Sequence, residues 1–244
     1  MVIVVIEDYA IASDREMEYL VESLPLFRKK YVLQYKRRNV RLSRAIAYHI
    51  LRNALGFEPL FAYSAQGKPY LVDAVEKHQL KNSVIKDFAF IKFNISHSKN
   101  AVCAAISSEG IETGIDVEDR LTESRARAVR KILTEGEADK RDHYTKFWTL
   151  KEAYLKRIGT GFAGGFSSNM DFSAYAKAET FALDGFWFFS RDFGSFHLSL
   201  CASEPPDSLS LYHRKGFQTT PSAFSRSSIR ISGADAPADM PTTP

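Results

Sequence analysis

Two cysteines in 244 residues leave neither a disulfide framework nor a cysteine-rich metal module to read. Cys103 and Cys201 each lie in an apolar, strand-like run, so the expectation is two reduced thiols in a cytoplasmic chain. Long apolar runs are missing too. Stretches such as Val2–Ile6 fall far short of the ~20 residues a membrane-spanning helix needs, which sets membrane classes aside. The opening MVIVVIEDYA lacks a basic segment and a small-residue cleavage site, and it reads as a buried first strand rather than a leader. No strong excess of one charge is present: the formal net charge is +4. What is present is 45% hydrophobic and 13% aromatic residues, enough for a sizeable core and too much for a chain disordered throughout. The length admits one large domain or two of roughly 100 residues each.

The charge is unevenly distributed. Arg28 to Arg52 holds nine Lys or Arg and no acid, whereas Glu109 to Glu123 holds six acids against Arg120 alone. Such a pair of blocks suits an anionic ligand with a metal, or two solvated faces. Apolar periodicity predicts a strand at 2–7, a helix at 14–24 with Asp14 as its cap, and a long helix at 36–55. Strand character surrounds a turn at Gln66-Gly67-Lys68-Pro69. Further strands are expected at 88–95, 102–107 and 111–118, then helices at 125–133, 135–139 and 144–158. Glycines 159, 161, 164 and 165 follow, then strands at 185–191 and 195–202. "VCAAIS" and "HLSLCAS" look like counterparts in two α+β halves. Residues 218–244, rich in Ser, Thr, Pro and Ala, read as a disordered tail.

Five stretches could carry chemistry, and each has an ordinary structural reading beside the functional one. "FWTLKEAYLKRIGTG" puts Trp148, Glu152 and Lys156 on one helix face; alone, Glu152 and Lys156 are an ordinary i,i+4 ion pair. "NISHS" ends a strand with Ser96, His97 and Ser98, which are either turn caps or phosphate or ribose contacts. "GKPY" fixes Lys68 in a turn. The basic block, interleaved with Tyr31, Tyr35 and Tyr48, could be a solvated helix face, track a nucleic-acid backbone or hold a small polyphosphate. In "GIDVEDR", Asp116 and Glu118 point to one side of a strand, as a surface pair or as oxygen ligands for a hard cation such as Mg²⁺.

Taken together, NISHS, then GIDVE about 20 residues later, then WTLKEAYLK about 30 further on, resembles the Sfp-type 4′-phosphopantetheinyl transferases. That resemblance implies an enzyme that moves the phosphopantetheine arm of coenzyme A to a serine of an apo acyl, peptidyl or aryl carrier protein, releasing 3′,5′-ADP. It implies Asp116, Glu118 and Glu152 as ligands of Mg²⁺, with Mn²⁺ the alternative ion. Glu152, Lys156 and Asp116 become the catalytic set, with Glu152 the candidate base. Lys68, Pro69, Ser96, His97, Lys151 and Lys156 become coenzyme contacts. Arg44, with Arg37 and Arg41 behind it, matches the basic segment that holds the 3′-phosphate. The implied fold is α+β: two similar halves related by a pseudo-twofold, each a small antiparallel sheet on a long helix, with the site in the cleft between them. The halves would be 1–110 and 111–217, in a cytoplasmic monomer that binds neither nucleic acid nor membrane. The cationic run Arg125, Arg127, Arg130 and Lys131 is read, from charge, as a surface for the carrier. The competing readings are a basic nucleic-acid-binding protein and a catalytically silent carrier-binding module.

Overall fold

The computed structural model describes residues 2–8, 13–65, 67–72, 90–107, 110–160, 170–215 and 230–232. The chain is α+β. Strand β1 (Val2–Asp8) leads into three helices, α1 (Asp14–Glu22), α2 (Leu26–Leu33) and α3 (Arg38–Leu55). Ser13, rather than Asp14, caps α1: its hydroxyl accepts from the Glu16 amide and the Glu16 carboxylate accepts from the Ser13 amide. Pro25 does more than end that helix. It opens α2, which sequence periodicity missed because its basic residues break the apolar stripe.

A short hairpin, β2 (Phe61–Tyr63) with β3 (Pro69–Leu71), precedes β4 (Lys92–His97), β5 (Ala101–Ser107) and β6 (Thr113–Asp119). The strand expected at 88–95 runs later than its apolar pattern suggested, and residues 88 and 89 lie outside the described residues. Helices α4 (Glu123–Arg130), α5 (Glu135–Ala138) and α6 (Tyr144–Ile158) follow, the last with the predicted bounds. Gly159 ends α6 in the left-handed conformation that glycine tolerates, while glycines 161, 164 and 165 lie outside the described residues. The chain then forms β7 (Thr180–Leu183), β8 (Phe186–Asp192), β9 (Phe196–Ala202), β10 (Ser208–Lys215) and β11 (Arg230–Ser232).

Two larger sheets result. One runs β11-β10-β1-β5-β4, antiparallel except for the parallel β1–β10 pair; the other, β6-β9-β8-β7, is antiparallel throughout. The β1–β10 pair departs from the expected division at residue 110: Ser208–Lys215, assigned by sequence to the second half, is hydrogen-bonded into the first sheet. Three residues of the expected tail likewise form a strand against β10, and the rest of it lies outside the described residues.

Alternation along the strands builds the layers. On the first sheet, Val102, Ala104 and Ile106 face α3, with Ile46, Tyr48 and Leu51. The opposite face, with Val4, Ile6, Cys103 and Ala105, packs on Ile115, Val117, Leu198 and Leu200 of the second sheet. The far face of the second sheet, with Phe188 and Cys201, packs under Phe147, Leu150 and Ala153 of α6. The order is helix, sheet, sheet, helix. Both cysteines are buried and free, as expected. Among the described residues no helix is long and apolar enough to cross a membrane.

Candidate active site

The alternation of GIDVED decides where its acids go. Ile115 and Val117 enter the core between the sheets, so Gly114, Asp116 and Glu118 face α6. Gly114 lets the helix come close. A Cβ there would lie 2.1 Å from the Ala153 carbonyl oxygen and 2.2 Å from the Arg157 amide nitrogen, a distance no side chain tolerates. The close approach brings Glu152 and Lys156 over the acidic strand.

The third wall is β4, the edge of the first sheet, which runs beside β6, the edge of the second. Side chains join these edges. Asn94 Oδ1 accepts from the Ile115 amide at 3.1 Å, Ser96 Oγ from the Val117 amide at 3.3 Å, and Ser98 Oγ donates to Asp119 at 2.9 Å. Every second residue of NISHS therefore holds β6, a role its turn-cap reading did not contain.

At the junction, Lys156 Nζ donates to Asp116 Oδ1 at 2.6 Å and to Ser96 Oγ at 2.7 Å; Ser96 Oγ also donates to Asp116 Oδ1 at 2.8 Å. Asp116 is 5% exposed, and its Oδ2 is buried without a hydrogen-bond partner. Burial pushes the Lys156 amine down, but Asp116 and Glu152 outweigh it and the net shift is upward. Half-buried Glu152 is pushed up to about 7, by desolvation first and then by Asp116 and Glu118, with Lys156 opposing. Glu118 is raised by desolvation, although both its oxygens pair with Arg125 at 2.5 and 3.1 Å. The two strand carboxylates are thus each met by a cation of the chain itself, Lys156 for one and Arg125 for the other.

Other expected contacts divide into those near this junction and those away from it. His97 reaches solvent, yet desolvation by its surroundings and then the charges of Lys156 and Arg44 lower its ring, with Asp116 opposing. Arg44 is one of those charges. Its guanidinium lies 4.2 Å from the Tyr35 ring centroid and donates to the Tyr31 hydroxyl. Arg37 precedes α3 as its exposed cap residue, and Arg41 lines a separate groove with Met17, Val21 and Leu33. Lys68 Nζ donates to Glu112 at 2.7 Å and to the Arg157 carbonyl at 2.9 Å, so it ties the β2–β3 turn to the C-terminus of α6. Pro69 lines a groove of about 220 Å³ beside it.

Lys151 does not belong with these. Its amine is enclosed behind α6, where it pairs with Glu137 at 3.0 Å and donates to the Met170 carbonyl at 2.7 Å. Glu137, fully buried, also accepts from the Thr134 and Phe172 amides. Adjacency to Glu152 in sequence misleads here, since successive helical residues point about 100° apart. Arg125, expected on a carrier surface, is exposed and also engages Glu118.

The donor set can be tested for a divalent ion. Three carboxylates, one with a buried oxygen that accepts nothing, are hard oxygen ligands of the kind Mg²⁺ takes. In kind the residues fit. Among the described residues, however, no three acids are arranged as a metal-holding group, and Lys156 and Arg125 hold Asp116 and Glu118.

The model of the 4′-phosphopantetheinyl transferase superfamily matches residues 112–212. That stretch is 101 of the 244 residues. It carries β6, α6, β8 and β9, hence Asp116, Glu118, Glu152 and Lys156, and the family resemblance read from the motifs is borne out. The chain is also 33% identical over 141 residues to 4′-phosphopantetheinyl transferase HetI of Nostoc sp., covering 52% of this chain and 54% of that one. It is 33% identical over 115 residues to slr0495 of Synechocystis sp., named as a candidate 4′-phosphopantetheinyl transferase, covering 43% and 42%. The chain thus spans about half the length of these relatives. The superfamily match leaves out Lys68, His97 and Arg44, and also Ser96, which completes the junction only in three dimensions.

Proposed function

We propose that the protein transfers the 4′-phosphopantetheine group of coenzyme A to a serine hydroxyl of an apo carrier protein and releases 3′,5′-ADP. The observation that carries this reading is the Asp116–Ser96–Lys156 junction, built from two sheets and α6, within a chain whose superfamily match covers both charged members. The two sheet-and-helix layers are read as halves about an approximate twofold, with the coenzyme between them, and the working protein as a cytoplasmic monomer.

In this reading the coenzyme phosphates lie against Lys156, His97 and Arg44, with Lys68 and Pro69 on the border of the same cleft. The serine oxygen attacks the phosphorus bearing the pantetheine arm, and the bond to the leaving 3′,5′-ADP breaks. Glu152 takes the hydroxyl proton. Lys156 faces the charge that develops on the leaving phosphate. Asp116, Glu118 and Glu152 would hold Mg²⁺ or Mn²⁺, and a bound ion neutralises pyrophosphate oxygens.

The nucleic-acid reading drew on the basic block interleaved with tyrosines. Arg28 is buried, 4.6 and 4.5 Å from the Tyr31 and Phe61 ring centroids, and Arg44 stacks on Tyr35, so these cations and rings are folded onto each other. The decisive experiment incubates the protein with coenzyme A, Mg²⁺ and a panel of apo carriers and measures carrier mass. A phosphopantetheine mass gain is expected with the wild type and is abolished in Asp116→Asn and Glu152→Gln. No gain on any carrier, or full gain with both variants, overturns the proposal.

A further inference from the structure

A second cavity lies across α6 from the junction. It has a volume of about 400 Å³ and opens between the start of α6, the 176–179 segment and strands β8 and β9. Residues 146 and 152 are six apart, so their side chains leave a helix on different flanks, at ~100° per residue. This cavity therefore belongs to the Lys146 side of α6, and the junction to the Glu152 side.

Its floor is built from buried polar groups. Lys146 is 7% exposed, and its amine donates to the Ala176 and Ala178 carbonyls. An ammonium has three protons, so two carbonyls leave one to point elsewhere. Ser190, 3% exposed, lies 2.8 Å from His197 Nε2 and 2.9 Å from Ser199, which in turn lies 2.8 Å from Thr149. Two of the three acids in the wall are already engaged: Glu179 takes Arg191 with both oxygens, and Asp192 takes Arg120 and the Gly194 amide; Asp142 is the third. Lys177, on the rim, adds a further cation, and the cations of the lining outnumber its acids by one.

Lys146 thus lacks a close counter-ion. Burial lowers its amine to about 8, with Glu179 opposing only in part. A buried cation served by carbonyl dipoles alone is incompletely compensated, and a bound anion would supply what is missing.

We propose that this cavity is a ligand site separate from the coenzyme cleft, for a small molecule with an oxyanion head, carboxylate or phosphate. The head meets Lys146 and Lys177, and the body meets the Ser190–His197 pair. The site does not depend on the transferase reading. Its test is titration of the full chain with inorganic phosphate and, separately, acetate, followed at the His197 ring resonances by NMR. Saturable shifts are expected with at least one of the two probes, and which one responds identifies the head group. Lys146→Met is expected to weaken that binding about tenfold, the equivalent of ~1.4 kcal/mol. Because Lys146 also holds the 176–178 carbonyls, the exposed Lys177→Ala serves as a second variant and is expected to weaken it several-fold. Arg44→Ala, in the proposed coenzyme cleft, should leave the His197 response intact. No shift with either probe, unaltered binding in both lysine variants, or loss of the response in Arg44→Ala overturns the proposal.

Discussion

Lys151 and Lys156 are five positions apart on one helix and have opposite fates. Lys156 leaves α6 toward Asp116, whereas Lys151 is sealed against Glu137 with both side chains nearly inaccessible. Charged partners at such depth are costly to separate, because the survivor keeps its charge without water. Lys151→Met or Glu137→Gln alone should therefore destabilise the protein by about 3–5 kcal/mol in urea unfolding. Lys151→Met combined with Glu137→Leu should recover much of that loss. If Lys151 served the coenzyme instead, the single variant would keep wild-type stability and lose only activity. WTLKEAYLK contains both lysines, but only helical phase tells which one reaches the site.

At the level of elements, the site depends on how closely α6 lies on β6. Gly114 controls that distance, and the atoms a methyl group would meet are backbone, which cannot swing aside. Gly114→Ala should cost about 3 kcal/mol or more, at or above the upper end of ordinary overpacking, measured as a shift in urea midpoint. Carrier labelling should fall with it, since α6 must move away from Asp116. The corresponding change at Gly185, where a Cβ would meet nothing within 4 Å, should cost only the strain of its positive φ. The seam between β4 and β6 is also a property of elements. Their edges are joined through Asn94, Ser96 and Ser98, so the first sheet supplies a residue to an acidic pair on the second.

For the whole molecule, pH should act through groups buried in the uncharged form. His197 is the clearest: burial, then Lys146, lower its ring from 6.5 to about 4, with Asp192 opposing. The unfolded chain takes up a proton on this ring near pH 6.5, while the folded chain resists until about pH 4. Between those values the unfolded state holds more protons, so the stability His197 contributes is present above pH 6.5 and is lost as pH falls through this window. Urea midpoints should be lower at pH 5 than at pH 7, and His197→Gln should flatten that difference. An equal slope in the variant would assign the acid sensitivity to other groups.

The sequence by itself determined most elements and which charged residues share a face. Periodicity delimited α6, and the period of two in GIDVED separated Ile115 and Val117 from Asp116 and Glu118, because local backbone geometry alone sets which side chains share a face. Tertiary structure decided what such periods cannot carry. It returned β10 to the first sheet, buried Lys151, turned Arg125 onto Glu118 and made Ser96 the link between Asp116 and Lys156. Each of these pairs residues distant along the chain. Such contacts follow from how whole layers pack and which buried charges find partners, which no local pattern encodes.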